Sequence, residues 1–210
     1  MSIFDDISLL VQQGKVKDVP IAVQSALDGG ASAQQILDEG LLSGMSIVGE
    51  QFSNGELFVP EVMVSSSALT SGVELLRPLL IDAGIEPIGR VVICTVQGDL
   101  HDIGKNLVKL MMEGVGFECY DLGVDAKPDD IIAKVKETNS QIIALSALLT
   151  TTMGGLAVVI EALSAAGLRG KVKVMVGGAA VSEKYANEIG ADGYAINAAG
   201  AAELAKTFVS

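Results

Sequence analysis

Residues 90–104, Arg-Val-Val-Ile-Cys-Thr-Val-Gln-Gly-Asp-Leu-His-Asp-Ile-Gly, join a hydrophobic run to a polar turn. The run from Arg90 to Val96 is rich in β-branched residues and predicts a buried strand. The turn holds His101, which is the only histidine in 210 residues, and Asp99 lies two positions before it. Imidazole is the commonest metal-ligating side chain, and a nearby carboxylate can accept its second ring N–H. The pair is therefore a candidate metal-binding group at the end of a strand.

Strand and helix signals alternate from this stretch to the C-terminus. The predicted strands are Arg90 to Val96, Phe117 to Leu122, Gln141 to Leu148, Val172 to Val176 and Gly193 to Ile196. The predicted helices are Gly104 to Glu113, Pro128 to Glu137, Met153 to Ala166, Ser182 to Ile189 and Ala199 to Phe208. Alternating units of this kind build a doubly wound α/β domain with right-handed crossovers. We predict a flavodoxin-like (Rossmann-like) five-stranded parallel sheet of order 2-1-3-4-5, with a six-stranded dinucleotide-binding order as the poorer alternative.

The residues before this domain carry helix signals instead. Apolar residues recur at helical spacing, and helices are predicted for Ile3 to Gln13, Val19 to Leu27, Ala33 to Phe52 and Pro60 to Ile81. Such helices with tight loops are typical of a four-helix bundle. Three glycines weaken the third helix, so a break near Gly40 is an open alternative. Residues 84–89 have the composition of a linker, and we place a helical domain at 1–85 and the α/β domain at 86–210.

Composition and charge exclude several classes of partner. The chain has 26 acidic and 14 basic residues, and its formal net charge of −12 repels nucleic acid phosphates and anionic lipids. No apolar run reaches the roughly 18 to 20 residues that cross a bilayer, and the N-terminus has no cationic signal-peptide region. Cys94 and Cys119 form no CxxC pattern, so we expect core residues in a reducing compartment. These features predict a cytoplasmic protein that binds neither nucleic acid nor membranes.

The turns that follow the predicted strands carry the remaining candidate residues. Ligands of open α/β sheets bind beyond the carboxyl ends of the strands. Besides the Asp99–His101 pair, these turns contain the hydroxyl-rich segment 146–152, the pair Gly177-Gly178 and residues 197–200. Each feature also has an ordinary structural role, because loop histidines, Gly-Gly turns and Ser/Thr helix caps are all common. Their coincidence at the strand ends favours a binding site for a large ligand.

Phosphate-binding motifs are missing from the first strand-to-helix turn. Neither GxGxxG nor GxxxxGK[ST] follows Val96, which argues against a nucleotide-binding domain of these types. A phosphoacceptor receiver domain would need acidic residues at two strand ends and a nearby lysine, and Asp121 fits that pattern loosely. The receiver domain is therefore a weak alternative.

Three segments in order resemble the signatures of cobalamin-binding domains: Asp99-Leu-His-Asp-Ile-Gly104, Leu145-Ser-Ala-Leu-Leu-Thr-Thr-Thr-Met153 and Val176-Gly-Gly-Ala179. They are similar to the DxHxxG class, in which a protein histidine replaces the corrinoid's own benzimidazole as the lower cobalt ligand. The segment from Gly49 to Glu61 resembles the helical cap domain that precedes this fold in methionine synthase and in small corrinoid proteins. The resemblance covers nearly the whole chain and implies a corrinoid carrier protein of a methyltransferase system.

The resemblance implies roles for individual residues. His101 would be the lower axial cobalt ligand, Asp99 its hydrogen-bond partner, and Thr152 the hydroxyl that binds that carboxylate. Ser146 and Thr150 match residues that contact the nucleotide tail of the cofactor. The other expected cofactor contacts are Gln97, Gly98, Asp102, Ile103, Gly104, Leu148, Gly177, Gly178 and Asn197. Related chains commonly carry Asp at the position of Asn197, which puts a charge-dependent role of that turn in doubt.

The resemblance also extends to the upper face of the cofactor and to the function. Phe58, Val62 and Met63 are candidates for the apolar lid over cobalt, with packing in the helical core as the equal alternative. A substrate-specific methyltransferase would load a methyl group onto Co(I). An acceptor-side methyltransferase would pass it from methyl-Co(III) to tetrahydrofolate or a thiol such as coenzyme M.

The chain itself would then be a carrier without catalytic activity of its own. A reductive activase is a further implied partner, and the 84–89 linker is the expected hinge. A cobalamin-dependent sensor or regulator and the small subunit of a cobalamin mutase are the alternatives that can use a similar cobalamin domain.

Overall fold

The computed structural model describes residues 2–210, and the chain divides into two compact units. The first unit contains the residues up to Pro87 and Gly114–Gly116, and the second contains Ile88–Glu113 and Phe117–Ser210. Within residues 2–210, no helix is both long and apolar enough to cross a membrane.

The first unit is built from helices at the predicted positions. They are α1 (Ile3–Gln12), α2 (Asp18–Asp28), α3 (Ala33–Gln35), a π-helix (Ile36–Leu42), α4 (Ser43–Ser53) and α5 (Val59–Asp82). Ser2 and Ser32 cap α1 and α3, because each side chain accepts a hydrogen bond from a backbone N–H three residues later. Apolar side chains from all the longer helices are buried, including Ile7, Val23, Met45 and Leu69.

The third predicted helix differs from the expectation. Residues 33–53 stay helical, and no break occurs near Gly40. Ile36–Leu42 forms a π-helix instead. A Cβ on Gly40 would lie 3.0 Å from a methyl carbon of Ile7, and one on Gly44 would lie 2.7 Å from the Ser8 carbonyl oxygen. These glycines therefore allow close packing against α1, which offsets their low helix propensity.

The second unit is a doubly wound α/β domain. Its strands are β1 (Gly89–Thr95), β2 (Phe117–Asp121), β3 (Ile142–Ser146), β4 (Lys173–Gly177) and β5 (Gly193–Tyr194). Its helices are α6 (Ile103–Gly114), α7 (Pro128–Thr138), α8 (Gly154–Ala165), α9 (Glu183–Glu188) and α10 (Ala198–Val209). Among the described residues the strands form a five-stranded parallel sheet of order β2-β1-β3-β4-β5, so the predicted flavodoxin-like fold is confirmed.

Two of the predicted strands end two residues earlier than expected. β3 ends at Ser146 rather than at Leu148, because the next residues turn toward α8. β5 ends at Tyr194 rather than Ile196, because Asn197 already caps α10 by accepting a hydrogen bond from the Gly200 N–H.

The central strands are buried on both faces of the sheet. Val92 and Cys94 on β1, and Val96 directly after it, belong to one core with apolar residues of α7, α8 and α9. The alternate residues Val91 and Ile93 are buried as well. Both cysteines lie in strands and are free thiols, and burial raises the pKa of Cys94 to about 12. The continuous hydrophobic runs of the sequence thus reflect a sheet that is covered on both sides.

The strand order fixes where a ligand can bind. The chain leaves β1 toward β2 on one side, and β3 pairs with β1 on the other side. The connections after β1 and β3 therefore diverge at the carboxyl edge and leave a crevice at this topological switch point. The candidate residues after β1 and β3 flank that crevice.

Gly178 provides a test of the close packing at this edge. Its φ is +116°, and a Cβ there would overlap the carbonyl group of Ala147 at the end of β3. We expect Gly178→Ala to destabilise the protein by about 2–4 kcal/mol in urea denaturation. The control is Gly154→Ala at the start of α8, where a Cβ would meet no described atom within 4 Å. Similar losses in both variants would contradict this account of Gly178.

Candidate functional site

The carboxylate of Asp99 is the centre of the candidate site. It is buried at the end of β1, and its Oδ1 accepts hydrogen bonds from His101 Nδ1 at 2.7 Å and from the His101 backbone N–H at 3.0 Å. Its Oδ2 accepts from the Leu148 backbone N–H at 2.8 Å and from the Thr152 hydroxyl at 2.6 Å. The carboxylate therefore joins the turn after β1 to the turn after β3.

These hydrogen bonds determine the charge of Asp99. Burial alone would raise its pKa, because a buried carboxylate loses hydration. The hydrogen bonds from Thr152, the His101 ring, the His101 backbone and Leu148 act in the opposite direction and outweigh burial. The pKa of Asp99 consequently lies well below its usual range, and the group is a carboxylate at neutral pH.

The imidazole of His101 is anchored at one nitrogen and free to act at the other. Because a carboxylate can only accept, the Nδ1 of His101 donates its hydrogen to Asp99. The neutral ring then carries a lone pair on Nε2. The His101 side chain is 50% exposed, whereas that of Asp99 is fully covered. This is the geometry of a histidine ligand whose carboxylate partner sets the tautomer and orientation.

Large apolar side chains are exposed in the turns at the carboxyl edge of the sheet. Leu100 is 71% exposed, Ile103 76% and Ile196 83%, and Leu148 is also exposed. Such exposure of aliphatic residues in one region marks a surface suited to a large apolar partner. A single imidazole nitrogen next to an apolar surface fits a metal held in a macrocycle, because such a metal brings most of its ligands with it and needs few from the protein.

The other residues predicted for the second unit lie in the turns at this edge. Ser146 ends β3, Thr150 is exposed in the turn after it, and Gly177 ends β4. A Cβ on Gly104, at the start of α6, would meet no described atom within 4 Å, so this position leaves space beside the helix. Gln97, Gly98, Asp102 and Gly178 are also exposed in the turns. Asn197 caps α10, which gives this residue a structural role that does not need the charge of an aspartate.

The candidates in the helical unit separate into two groups. Phe58 and Met63 are exposed and remain available for an apolar contact. Val62 is fully buried in the core of the helical unit, so its assignment as a lid residue is wrong and the packing alternative holds. The difference arises because Val62 and Met63 are neighbours on α5 and face different sides of the helix.

Several residues that support the site were not singled out from the sequence. The hydroxyl of Thr95 donates to the His101 carbonyl at 2.8 Å, and Asp125 accepts from the Gly98 N–H at 2.7 Å. Lys105 is buried and donates to both oxygens of Asp121, at 2.7 and 2.6 Å. Asp121, considered above as a phosphoacceptor candidate, is the ion-pair partner of this lysine. The sequence signal for this ion pair was the position of Lys105, a charged residue in the first turn of the amphipathic helix α6.

Comparisons with known proteins agree with this geometry. Residues 89–204 match the model of a B12 binding domain, and residues 3–77 match the model of a second one. The chain is 44% identical over 195 residues to the dimethylamine corrinoid protein of Methanosarcina barkeri, with 92% of each chain covered.

Two solved structures extend the comparison to the fold. A cobalamin-binding protein from Desulfitobacterium hafniense DCB-2 is 32% identical, with a TM-score of 0.81 and complete coverage of both chains. The methanol:cobalamin methyltransferase complex of Methanosarcina barkeri contains a chain that is 29% identical, with a TM-score of 0.89; the match covers 99% of this chain and 79% of that one. The resemblance carried by the sequence motifs is confirmed.

The hydrogen bond from Thr152 to Asp99 predicts a pH-dependent stability difference. Asp99 has a lower pKa in the folded state than the value of about 3.9 in an unfolded chain, so its contribution is present above that value and is lost as the pH falls. Thr152→Val removes one donor, and we expect a loss of about 1–3 kcal/mol at pH 7 that shrinks below about pH 4. Urea denaturation across this range measures it, with Thr151→Val as the exposed control. A pH-independent loss would contradict the assigned role of the bond.

Proposed function

Because this chain belongs to the family of proteins with B12 binding domains, we propose that it binds a corrinoid, cobalamin, and carries a methyl group for a methyltransferase system. Its likeness to a dimethylamine corrinoid protein and to a chain of a methanol:cobalamin methyltransferase complex supports this assignment. Bound cobalamin supplies the cobalt that carries the methyl group. We assign residues 1–85 to the cap and residues 86–210 to cobalamin binding.

The half-exposed His101 ring, held at Nδ1 by the buried Asp99, is the observation that carries this proposal. His101 would hold the cobalt of a bound corrinoid through Nε2. Asp99 keeps the ring in the tautomer that leaves Nε2 unprotonated, and Thr152 keeps Asp99 in place. Because Asp99 is a carboxylate in the folded protein, it would also stabilise a protonated His101 ring.

The other residues at the carboxyl edge of the sheet are assigned to the body of the cofactor. Leu100, Ile103 and Leu148 offer apolar contact to the corrin. Leu100 and Ile103 lie within two residues of His101, the Leu148 backbone N–H donates to Asp99, and all three side chains are exposed. Ser146 and Thr150 offer hydroxyls to the nucleotide tail, and the glycines leave room for it. The other residues assigned to cofactor contact lie in the turns at the carboxyl edge of the sheet: Gln97, Gly98, Asp102, Gly104, Gly177, Gly178 and Asn197. Phe58 and Met63 are assigned to the upper face.

We further propose that the chain has no methyltransferase activity of its own. One partner enzyme would provide the methyl group from a substrate, and a second would deliver it to tetrahydrofolate or a thiol such as coenzyme M. A reductive activase would restore the cofactor after oxidation. The cytoplasm is the compartment consistent with free thiols and with these partners.

Cobalamin titration tests the binding assignment. We expect the purified protein to take up about one equivalent of cobalamin, with an absorption spectrum in which the cofactor's benzimidazole is off cobalt. In the Co(II) form, nitrogen coupling in the electron paramagnetic resonance spectrum should come from His101. His101→Ala should retain some corrinoid through the other contacts and lose this coupling, whereas Lys206→Ala, in the last turn of α10, should match the parent protein. Failure of the parent protein to bind cobalamin would exclude the proposed function.

Methyl transfer tests the carrier assignment separately from binding. In the absence of partners, the protein loaded with methylcobalamin should retain the methyl group. It should release this group when an acceptor-side methyltransferase and its acceptor are added. Mass spectrometry of the methylated acceptor, with the His101→Ala protein in parallel, measures the transfer. Release without any partner would contradict a pure carrier, and a light-triggered change of assembly without methyl transfer would indicate a sensor.

A further inference from the structure

The turn that carries the histidine is attached to the sheet by its backbone as well as by the Asp99 side chain. We call residues 98–101 the histidine turn. The side-chain bonds of Asp99 tie this turn to the segment after β3, through Leu148 and Thr152. A different set of contacts holds its backbone, and these come from the end of β1 and from the segment after β2.

Asp125, in the segment between β2 and α7, binds the first half of the histidine turn twice. Its carboxylate accepts from the Gly98 N–H at 2.7 Å, and its own N–H donates to the Asp99 carbonyl at 3.0 Å. Asp125 is exposed and its backbone φ is +53°. This value lies in the left-handed region, which residues other than glycine rarely adopt. Such a conformation persists where surrounding contacts hold it, and strained residues of this kind cluster at functional sites.

Thr95, the last residue of β1, binds the second half of the turn. Its side chain is buried, and its hydroxyl donates to the His101 carbonyl at 2.8 Å. Its backbone N–H donates to the Gly123 carbonyl, and its carbonyl accepts from the Ala126 N–H, at 2.9 and 3.1 Å. Thr95 therefore connects the histidine turn to the same segment after β2 that contains Asp125.

We propose that Asp125 and Thr95 are positioning residues for His101: they hold the backbone of the histidine turn and thereby set the place of the imidazole Nε2. Asp99 fixes the orientation of the ring, and these two residues fix the backbone from which the ring projects. The inference rests on the proposed function insofar as it concerns a cobalt ligand. The contacts that support it involve the chain alone.

A set of substitutions at Asp125 separates its side-chain contact from its backbone conformation. Asp125→Asn keeps an acceptor oxygen, and asparagine tolerates the left-handed conformation. Asp125→Gly keeps the backbone conformation and removes the acceptor. Thr95→Val preserves side-chain volume and removes the hydroxyl, and Thr207→Val removes a comparable hydroxyl-to-carbonyl bond near the end of α10 as the control.

The experiment measures coordination by His101 in the full chain loaded with cobalamin. Nitrogen coupling in the Co(II) paramagnetic resonance spectrum gives the ratio of molecules with imidazole on cobalt to molecules with it off. We expect Asp125→Gly and Thr95→Val to lower this ratio roughly three- to tenfold, the effect of losing one hydrogen bond, while corrinoid stays bound. Asp125→Asn and Thr207→Val should keep the parent ratio. Unchanged coordination in both Asp125→Gly and Thr95→Val, or an equal loss in Asp125→Asn, would overturn the proposal.

A measurement without cofactor keeps this test independent of the proposed function. Hydrogen exchange of the His101 backbone amide, which donates to Asp99, reports the order of the histidine turn in the cofactor-free protein. It should become several-fold faster in Asp125→Gly and Thr95→Val and stay at the parent rate in Asp125→Asn. Thermal melting identifies a variant that has lost its fold. If either Asp125→Gly or Thr95→Val does so, the exchange rate in the other variant tests the proposal. If the parent protein binds no cobalamin, the proposed function fails and the exchange rates still decide the positioning roles.

Discussion

The site depends on keeping one carboxylate charged while it is buried. A buried charge is costly unless hydrogen bonds replace its lost hydration, and Asp99 receives them from its own turn and from the segment that follows β3. These donors are separated by about fifty residues in sequence, as the Thr152 contact shows, and meet because β1 and β3 are neighbours in the sheet. The strand order is therefore a condition for the charge of Asp99, and that charge is a condition for the orientation of His101.

The same edge of the sheet accounts for the composition of the turns. Small residues occur where the backbone must approach another segment closely, as Gly178 does at the Ala147 carbonyl. Polar groups occur where the chain must satisfy Asp99, and aliphatic side chains such as Ile103 remain exposed where the corrin would bind. A second ionic contact, between Lys105 and Asp121, joins the first turn of α6 to the end of β2. The ion pair of the buried Lys105 thus helps to hold α6, the helix that follows the histidine turn.

The fold and the centre of the site could be predicted from sequence because their signals are local. Hydrophobic runs identified the strands, and Asp99, His101 and Gly104 lie within one short motif. The contacts of Thr95 and Asp125 could not be predicted in the same way, since a threonine in a strand and an aspartate in a turn are ordinary there. Their roles depend on which segments meet in three dimensions. Likewise the π-helix at Ile36–Leu42 depends on close packing against α1, which glycine content alone did not distinguish from a break.

The difference in exposure between His101 and Asp99 separates two tasks that a methyl carrier must combine. The ligand has to be placed accurately, which requires buried partners, and the cofactor has to be reached by other proteins, which requires an open edge. In this chain the carboxylate is fully covered while half of the imidazole is exposed. Accurate placement of the ligand therefore resides in the sheet and its turns, and the exposed part of the ring is left for the cofactor. Under the proposed function, such a division would let one scaffold serve different donors, because the choice of donor would reside in the partner methyltransferase.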